Sequence, residues 1–216
     1  MSSYRQWCGV AKALDLVGER WSLLVVRELL DGPKRYTDLR DGIPGVATDV
    51  LAARLRTLEA GGVVARRTLA APAASKVYEL TELGRGLEPV LQSVARWGAQ
   101  LLGPLEADEQ FRPHWLAVAL RGLLARDEAE GVVLDLDFVL GPEQVVRVAV
   151  EGGTVRYVAD PQRDPDVTIT ADLGTLARLA NGTVSARDSL ADGHLQIVGD
   201  RDAVRTYGRL FRVSGG

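Results

Sequence analysis

The stretch "VATDVLAARLRTLEAGGVV", Val46 to Val64, decides how the chain is read. Val50, Leu51, Leu55 and Leu58 recur every three to four residues, the spacing that lines one face of an α-helix. Asp49, Arg54, Arg56 and Glu59 take other directions around it. The pair Gly61-Gly62 ends the helix, and β-branched Val63 and Val64 open a strand at once. Such a helix packs by one stripe and leaves its other face free to meet water or a phosphate backbone.

Reading outward, "CGVAKALDLVG" carries Val10, Ala13, Leu14 and Val17 at helical spacing before Gly18. "RWSLLVVRELLDG" is apolar on nearly all sides and belongs at the centre of a small bundle. "PKRYTDLRDG" predicts a shorter helix with Pro33 in its first turn, and "IPGVAT" turns the chain into the opening helix. Beyond it, Val63 to Leu69 and Lys76 to Leu80 read as two extended runs joined by a Pro-Ala-Ala-Ser tip. This order is that of a winged helix-turn-helix, in which one helix enters the major groove and the hairpin reaches an adjacent backbone or minor groove.

"TELGRGLEPVLQSVARWGAQLL" then predicts a long helix with Leu83, Leu87, Val90, Leu91, Val94, Trp97 and Leu101 on one side. Pro89 is a defect that either kinks it or costs a turn. The stripe is expected to meet a two-fold mate; the alternative is that it packs on the second half of its own chain. "GPLEADEQFRP" is a polar linker. After it come an amphipathic helix, four extended runs ("GVVLDLDFVL", "QVVRVAVEGG", "TVRYVAD", "DVTITAD"), two helices, a fifth strand "HLQIVGD" and a closing helix "RDAVRTYGRLF". Two domains are therefore expected. Residues 1–102 form an α+β winged helix-turn-helix domain, 103–111 a linker, and 112–216 an α+β domain of helices packed on a mostly antiparallel five-stranded sheet with one wet face.

A chain of 216 residues, 46% hydrophobic and 25% charged, is an ordinary folded globule. Its net charge of −3 hides an asymmetry: residues 1–100 hold 14 Lys and Arg against 11 Asp and Glu, and residues 101–216 hold 12 against 18. The first half can meet a polyanion and the second is repelled by one on average. Lys12, Asp15, Glu19 and Arg20 interrupt the N-terminal apolar runs, so neither a signal peptide nor a membrane span is expected, and the location is expected to be cytoplasmic. One cysteine and two distant histidines, His114 and His194, give no disulfide framework and no metal site, and no cofactor is expected. No catalytic triad or phosphate-binding glycine motif occurs in the second half, and Asp135, Asp137, Asp160, Asp164 and Asp166 read as surface carboxylates, so an enzyme is not expected.

The candidate DNA contacts are Lys34, Arg35, Tyr36 and Thr37 at the third helix, Thr48, Asp49, Ala52, Ala53 and Arg56 on the reading helix, and Arg66, Arg67 and Lys76 on the wing. Donors spread over three elements suit phosphates across a duplex. The small residues on the reading helix predict modest base readout, and Thr48 or Asp49 can cap the helix instead. Arg54 reads as structural as much as contacting. Cys8 is either a small buried hydrophobe, the favoured reading, or a sensor thiol.

Residues 7 to about 98 resemble the HxlR-type winged-helix transcriptional regulators, relatives of the MarR group. The features that carry the likeness are the cysteine before the first helix, "GERWSLLVVRELLDGPKRYTDLR", "VLAARLRTLEAGGVV" and "YELTELGR". The resemblance implies a homodimer built on the N-terminal helix and the helix after the wing. It also implies a pseudopalindromic double-stranded DNA operator, a reading helix over Thr48 to Glu59, a wing over Arg66 to Lys76, and in some members a redox role for the cysteine that maps to Cys8. Two positions depart: Gly9 stands where proline is common, and Ala47-Thr48 replaces the usual Ser-Pro start of the reading helix.

"PDVTITADLGTLARLANGTVSARDSLADGHLQIVGDRDAVRTYGRLF" is similar to the sterol-carrier-protein type 2 fold, which implies a tunnel for an apolar or fatty-acyl-like small molecule. Leu173, Leu176, Leu179, Leu190, Leu195, Ile197, Val204, Leu210 and Phe211 could line such a cavity or fill a solid core. The expected function is a dimeric DNA-binding transcriptional regulator that responds to an apolar effector in its C-terminal domain. Two alternatives stay open: a DNA-binding dimer whose second half is a scaffold or protein-interaction module, and a lipid carrier without specific DNA binding.

Overall fold

The computed structural model describes residues 3–70, 74–103, 106, 108–141 and 144–211. Pro72 and Ala73 of the expected wing tip lie outside the described residues. The chain divides into two compact units, Met1–Leu91 and Gln92–Gly216.

In the first unit α1 (Gly9–Val17), α2 (Ser22–Leu29), α3 (Tyr36–Gly42) and α4 (Thr48–Ala60) precede a hairpin of β1 (Val64–Thr68) and β2 (Lys76–Leu80). Helix α2 supplies the centre, with Val25, Val26 and Leu29 buried against Leu39, Ile43, Leu51, Leu55, Leu58, Val63, Val64 and Leu80. The strands pair antiparallel from Val64 opposite Leu80 to Thr68 opposite Lys76. A bridge adds Lys34 to this hairpin: its N–H donates to the Tyr78 carbonyl (3.0 Å) and its carbonyl accepts from the Tyr78 N–H (2.8 Å). That extended bridge is why α3 starts at Tyr36 and Pro33 lies ahead of the helix rather than in its first turn. Helix α1 also departs from expectation. Ala11 and Val17 face inward, whereas Val10 and Leu14 are exposed.

The long helix expected after the wing is broken. Thr81 caps a short α5 (Glu82–Arg85) by accepting from the Gly84 N–H (3.1 Å), and α6 (Glu88–Gly98) restarts beyond Gly86-Leu87. Pro89 falls in the first turn of α6, where a missing N–H costs no helix bond. A 3-10 turn, Ala99–Leu101, follows. Its Ala99 is buried and accepts a hydrogen bond from Asn181 Nδ2 (3.3 Å), while Arg96 donates to the Gly122 carbonyl (3.1 Å). The end of this segment thus packs within the second unit, yet Val90, Val94, Trp97, Leu101 and Leu102 remain exposed.

In the second unit α7 (Pro113–Leu123) precedes β3 (Leu134–Val139), β4 (Val145–Glu151), β5 (Thr154–Tyr157) and β6 (Val167–Thr170). Then come α8 (Leu173–Ala180), α9 (Ala186–Ala191), β7 (Gln196–Gly199) and α10 (Arg201–Leu210). The sheet order is β5-β4-β3-β6-β7, antiparallel except for the β3–β6 pair. Period-two alternation sends Leu134, Leu136, Phe138, Val146, Val148, Val150, Val155, Val167 and Ile169 to the core shared with α7 and α10. The opposite face is less wet than its alternating charges suggest. Asp135 and Arg147 are only 6% and 7% exposed, because Arg147 Nε and Nη2 hold Asp137 at 2.5 and 3.0 Å, Arg163 closes on Asp135, and the Arg163 carbonyl accepts from Arg147 Nη1 (2.8 Å).

Candidate nucleic-acid interface

The start of α4 is built by its neighbours more than by its own cap. Ala47 occupies the N-cap position and offers no side-chain acceptor. The α3–α4 turn is fixed from below by fully buried Ile43 and by Gly45, whose φ of +79° lies in the left-handed region that suits glycine. A Cβ at Gly45 would stand 3.7 Å from the Trp21 ring. From the other side the Tyr36 hydroxyl donates to the Thr48 carbonyl at 2.7 Å. Neither Trp21 nor this tie is apparent from sequence spacing. At α3 the cap is an N–H to carboxylate bond, from Arg35 to Asp38 (3.1 Å).

Leu51, Leu55 and Leu58 pin α4 to the core, and Thr48, Asp49 and Arg56 are exposed while Ala52 and Ala53 are half-buried. The basic side chains separate into two groups. Lys34 Nζ reaches Glu28 Oε2 (3.1 Å), Arg54 reaches Glu19 (3.4 Å), Arg66 reaches Glu59 (3.3 Å) and Arg67 reaches Glu79 (3.1 Å). Arg66 also lies over the Tyr78 ring, 5.2 Å from its centroid. Arg35, Arg56 and Lys76 are exposed and have no ion-pair partner among the described residues, and Thr37 is exposed beside Asp38, to which its hydroxyl donates (3.3 Å).

Glu28 is the partner that sequence reading passed over. It is fully buried in α2, with Oε1 accepting from Arg27 (3.0 and 3.2 Å) and Oε2 from Lys34. A Cβ at Gly42 would come within 2.4 Å of Oε2, so glycine is needed where α3 ends against this carboxylate. Burial pulls the Arg27 guanidinium below its ordinary pKa against the pull of Glu28. The sequence signal for Glu28 is an Arg-Glu pair at the end of a mostly apolar helix.

Cys8 is exposed at the N-cap of α1. The backbone N–H groups of Ala11 and then Val10 hold its thiol below the ordinary value. Of the apolar residues singled out in the second half, Leu195, Leu210 and Phe211 are buried in the core, and Leu176, Leu179, Ile197 and Val204 pack against it half-buried. Leu173 is half-buried and Leu190 is exposed. Among the described residues no group of three or more His, Cys, Asp or Glu is placed to hold a metal ion, and no helix is long and apolar enough to cross a membrane.

Residues 16–106 match the HxlR-like helix-turn-helix model, and residues 124–212 match the SCP-2 sterol transfer family. The HTH-type transcriptional regulator YodB of Bacillus subtilis is 37% identical over 92 residues, which are 43% of this chain and 82% of that protein. The chain belongs to the HxlR family. The uncharacterized HTH-type transcriptional regulator YkvN of the same organism is 37% identical over 91 residues, 42% of this chain and 77% of that one. A solved structure of the reduced form of YodB is 34% identical, covering 47% of this chain and 100% of that chain with a TM-score of 0.40. An HxlR/MarR-like winged helix-turn-helix is fused to an SCP2-like domain, and the family match makes the chain a DNA-binding regulator.

Proposed function

We propose that this HxlR-family chain acts as a homodimer that reads a pseudopalindromic DNA operator, with an apolar small molecule bound in the SCP2-like domain as effector. The observation that carries the DNA reading is the exposed set Thr48, Asp49 and Arg56 on α4, together with Arg35 and Lys76 on the flanking elements of the same small unit. Arg35, Arg56 and Lys76 can donate to phosphates and position the helix, while its N-terminal residues Thr48 and Asp49 meet base edges. Dimerisation is supported by large apolar side chains left in water: Tyr4, Trp7, Val10 and Leu14 near α1, and Leu83, Val90, Val94, Trp97 and Leu101 along the segment after the wing. Two reading helices in such a dimer would address half-sites about 34 Å apart. A regulator that reads DNA in a bacterial-type cell would work in the cytoplasm.

The test starts from a randomised duplex pool. Enrichment of an inverted repeat, bound by a dimer in sedimentation with a Kd that rises steeply with salt, is the expected result. A monomer that enriches nothing would leave only the lipid-carrier reading. Native mass spectrometry of the purified protein then reads the effector: a co-purified apolar molecule, one per chain, whose removal changes the operator Kd. An unchanged Kd would favour the scaffold reading, to which the buried positions of Leu195, Leu210 and Phe211 already lend support.

Cys8 offers a second input, because it is exposed and its thiol is held low. Iodoacetamide should alkylate it faster at pH 7 than it does free cysteine, and Cys8→Ser should abolish any oxidant effect on DNA binding. An alkylation rate equal to that of free cysteine would remove this reading.

A further inference from the structure

The residue type and position of Tyr36 suit a DNA contact, but its hydroxyl already has a task. Its ring packs half-buried against the core of the first unit, and Oη donates at 2.7 Å to the carbonyl of Thr48, 12 positions along the chain and the first residue of α4. Among the described residues, no other side chain hydrogen-bonds the backbone of residues 47–50. A reading helix usually fixes its first turn with a Ser, Thr, Asp or Asn at the N-cap. Ala47 cannot do so, and the bond from Tyr36 adds a side-chain hydrogen bond to the packing of Leu51 in tying that turn to the body of the domain.

We propose that Tyr36 is a positioning residue for α4: its hydroxyl holds the first turn where Thr48, Asp49 and Ala52 can meet base edges, and so sets sequence discrimination without touching DNA. The proposal rests on the DNA reading given above. Its physical basis is an asymmetry between the two kinds of contact. A bidentate pair to a base edge tolerates little displacement, whereas phosphates accept donors from a range of positions. Loosening the first turn therefore weakens specific binding and spares non-specific binding.

The test is Tyr36→Phe, which keeps the ring in the core and removes only the hydroxyl. Two duplexes are used, the one enriched from the random pool on the parent protein and a scrambled duplex of the same length. One net hydrogen bond corresponds to roughly a 2- to 12-fold change. The variant is expected to bind the enriched duplex weaker by a factor in that range, with the scrambled duplex and the salt slope unchanged. Single-base variants of the enriched duplex should show preference relaxed at all positions under α4. Loss confined to one base pair would instead make Tyr36 a direct base contact, and equal loss on both duplexes a phosphate contact; either overturns the proposal. Amide exchange of residues 51–53, where the backbone hydrogen bonds of α4 begin, gives a readout in the free protein that needs no DNA. Faster exchange in the variant is expected, and identical exchange overturns the positioning role even if DNA binding stands. Failure of the parent to enrich any duplex would instead sink the DNA reading itself.

Discussion

On the wing, Arg66 and Arg67 remain about half exposed and each meets one carboxylate, Glu59 and Glu79. On the outer face of the C-terminal sheet, Arg147 is almost wholly covered and grips both oxygens of Asp137. Both are arginine–carboxylate pairs, and the outcomes are opposite. Water competes for the wing pairs, so each contributes little and its guanidinium can exchange carboxylate for phosphate. The sheet pair has lost its water, and each charge there depends on the other. Charge that is available for recognition and charge that is locked into structure differ in solvent, not in composition.

The sharpest test of that contrast is Glu28, the most deeply buried carboxylate of the first unit. Glu28→Ala leaves Lys34 and Arg27 without it in a dry site, and should cost about 3 kcal/mol in denaturant unfolding of the full chain, with amide protection lost first in α2. A cost near that of an exposed pair would mean the site admits water and the distinction fails. Arg147→Ala should cost about 2 kcal/mol, because Asp137 stays partly exposed and can recover some hydration. Protection should fall in β3 and β4 while the first unit is unaffected.

A carboxylate tied to backbone gives an intermediate case. Asp172 caps α8 by accepting from the Thr175 N–H at 2.7 Å, and that bond foremost holds its carboxyl below the ordinary range. A folded-state pKa below the unfolded value of about 3.9 means the stabilisation is present above that pH and is lost as pH falls through the folded value. Asp172→Ala should cost about 1 kcal/mol at neutral pH and Asp172→Asn much less, since asparagine also caps. A full loss in the asparagine variant would assign the effect to charge rather than to the cap.

The fold was legible in the sequence where a single period governs a segment. The stripe of Leu51, Leu55 and Leu58 and the alternation of Leu134, Leu136 and Phe138 both face the cores that their spacing demands. It was illegible where a distant strand competes. Lys34 left the expected helix because Tyr78 offered it a bridge, and no local pattern announces a partner 44 positions away. Helix α1 shows a second limit: Val10, Leu14, Ala11 and Val17 define two apolar directions, and which one turns inward depends on the rest of the core. The candidate interface was legible as residue types. Which cation is already held by a carboxylate is decided by strand register and helix approach, as with Arg67 beside Glu79 on the paired strand.

The smallest expected effect separates cations within the interface itself. Arg56 has no ion-pair partner among the described residues, whereas Arg66 must leave Glu59 before it can meet a phosphate. On a scrambled duplex, which reports phosphate contacts alone, Arg56→Ala should weaken binding about fivefold and lower the salt slope by about one. Arg66→Ala should weaken it only about twofold, because part of the interaction gained with DNA is offset by the pair given up. Glu59→Gln removes that competition and should tighten binding in the parent background, while in the Arg66→Ala background it relieves only the repulsion between Glu59 and the backbone. If both arginine variants lose affinity equally and Glu59→Gln has the same effect in both backgrounds, the pair plays no part in DNA binding. Wing and reading helix would then present equivalent charge.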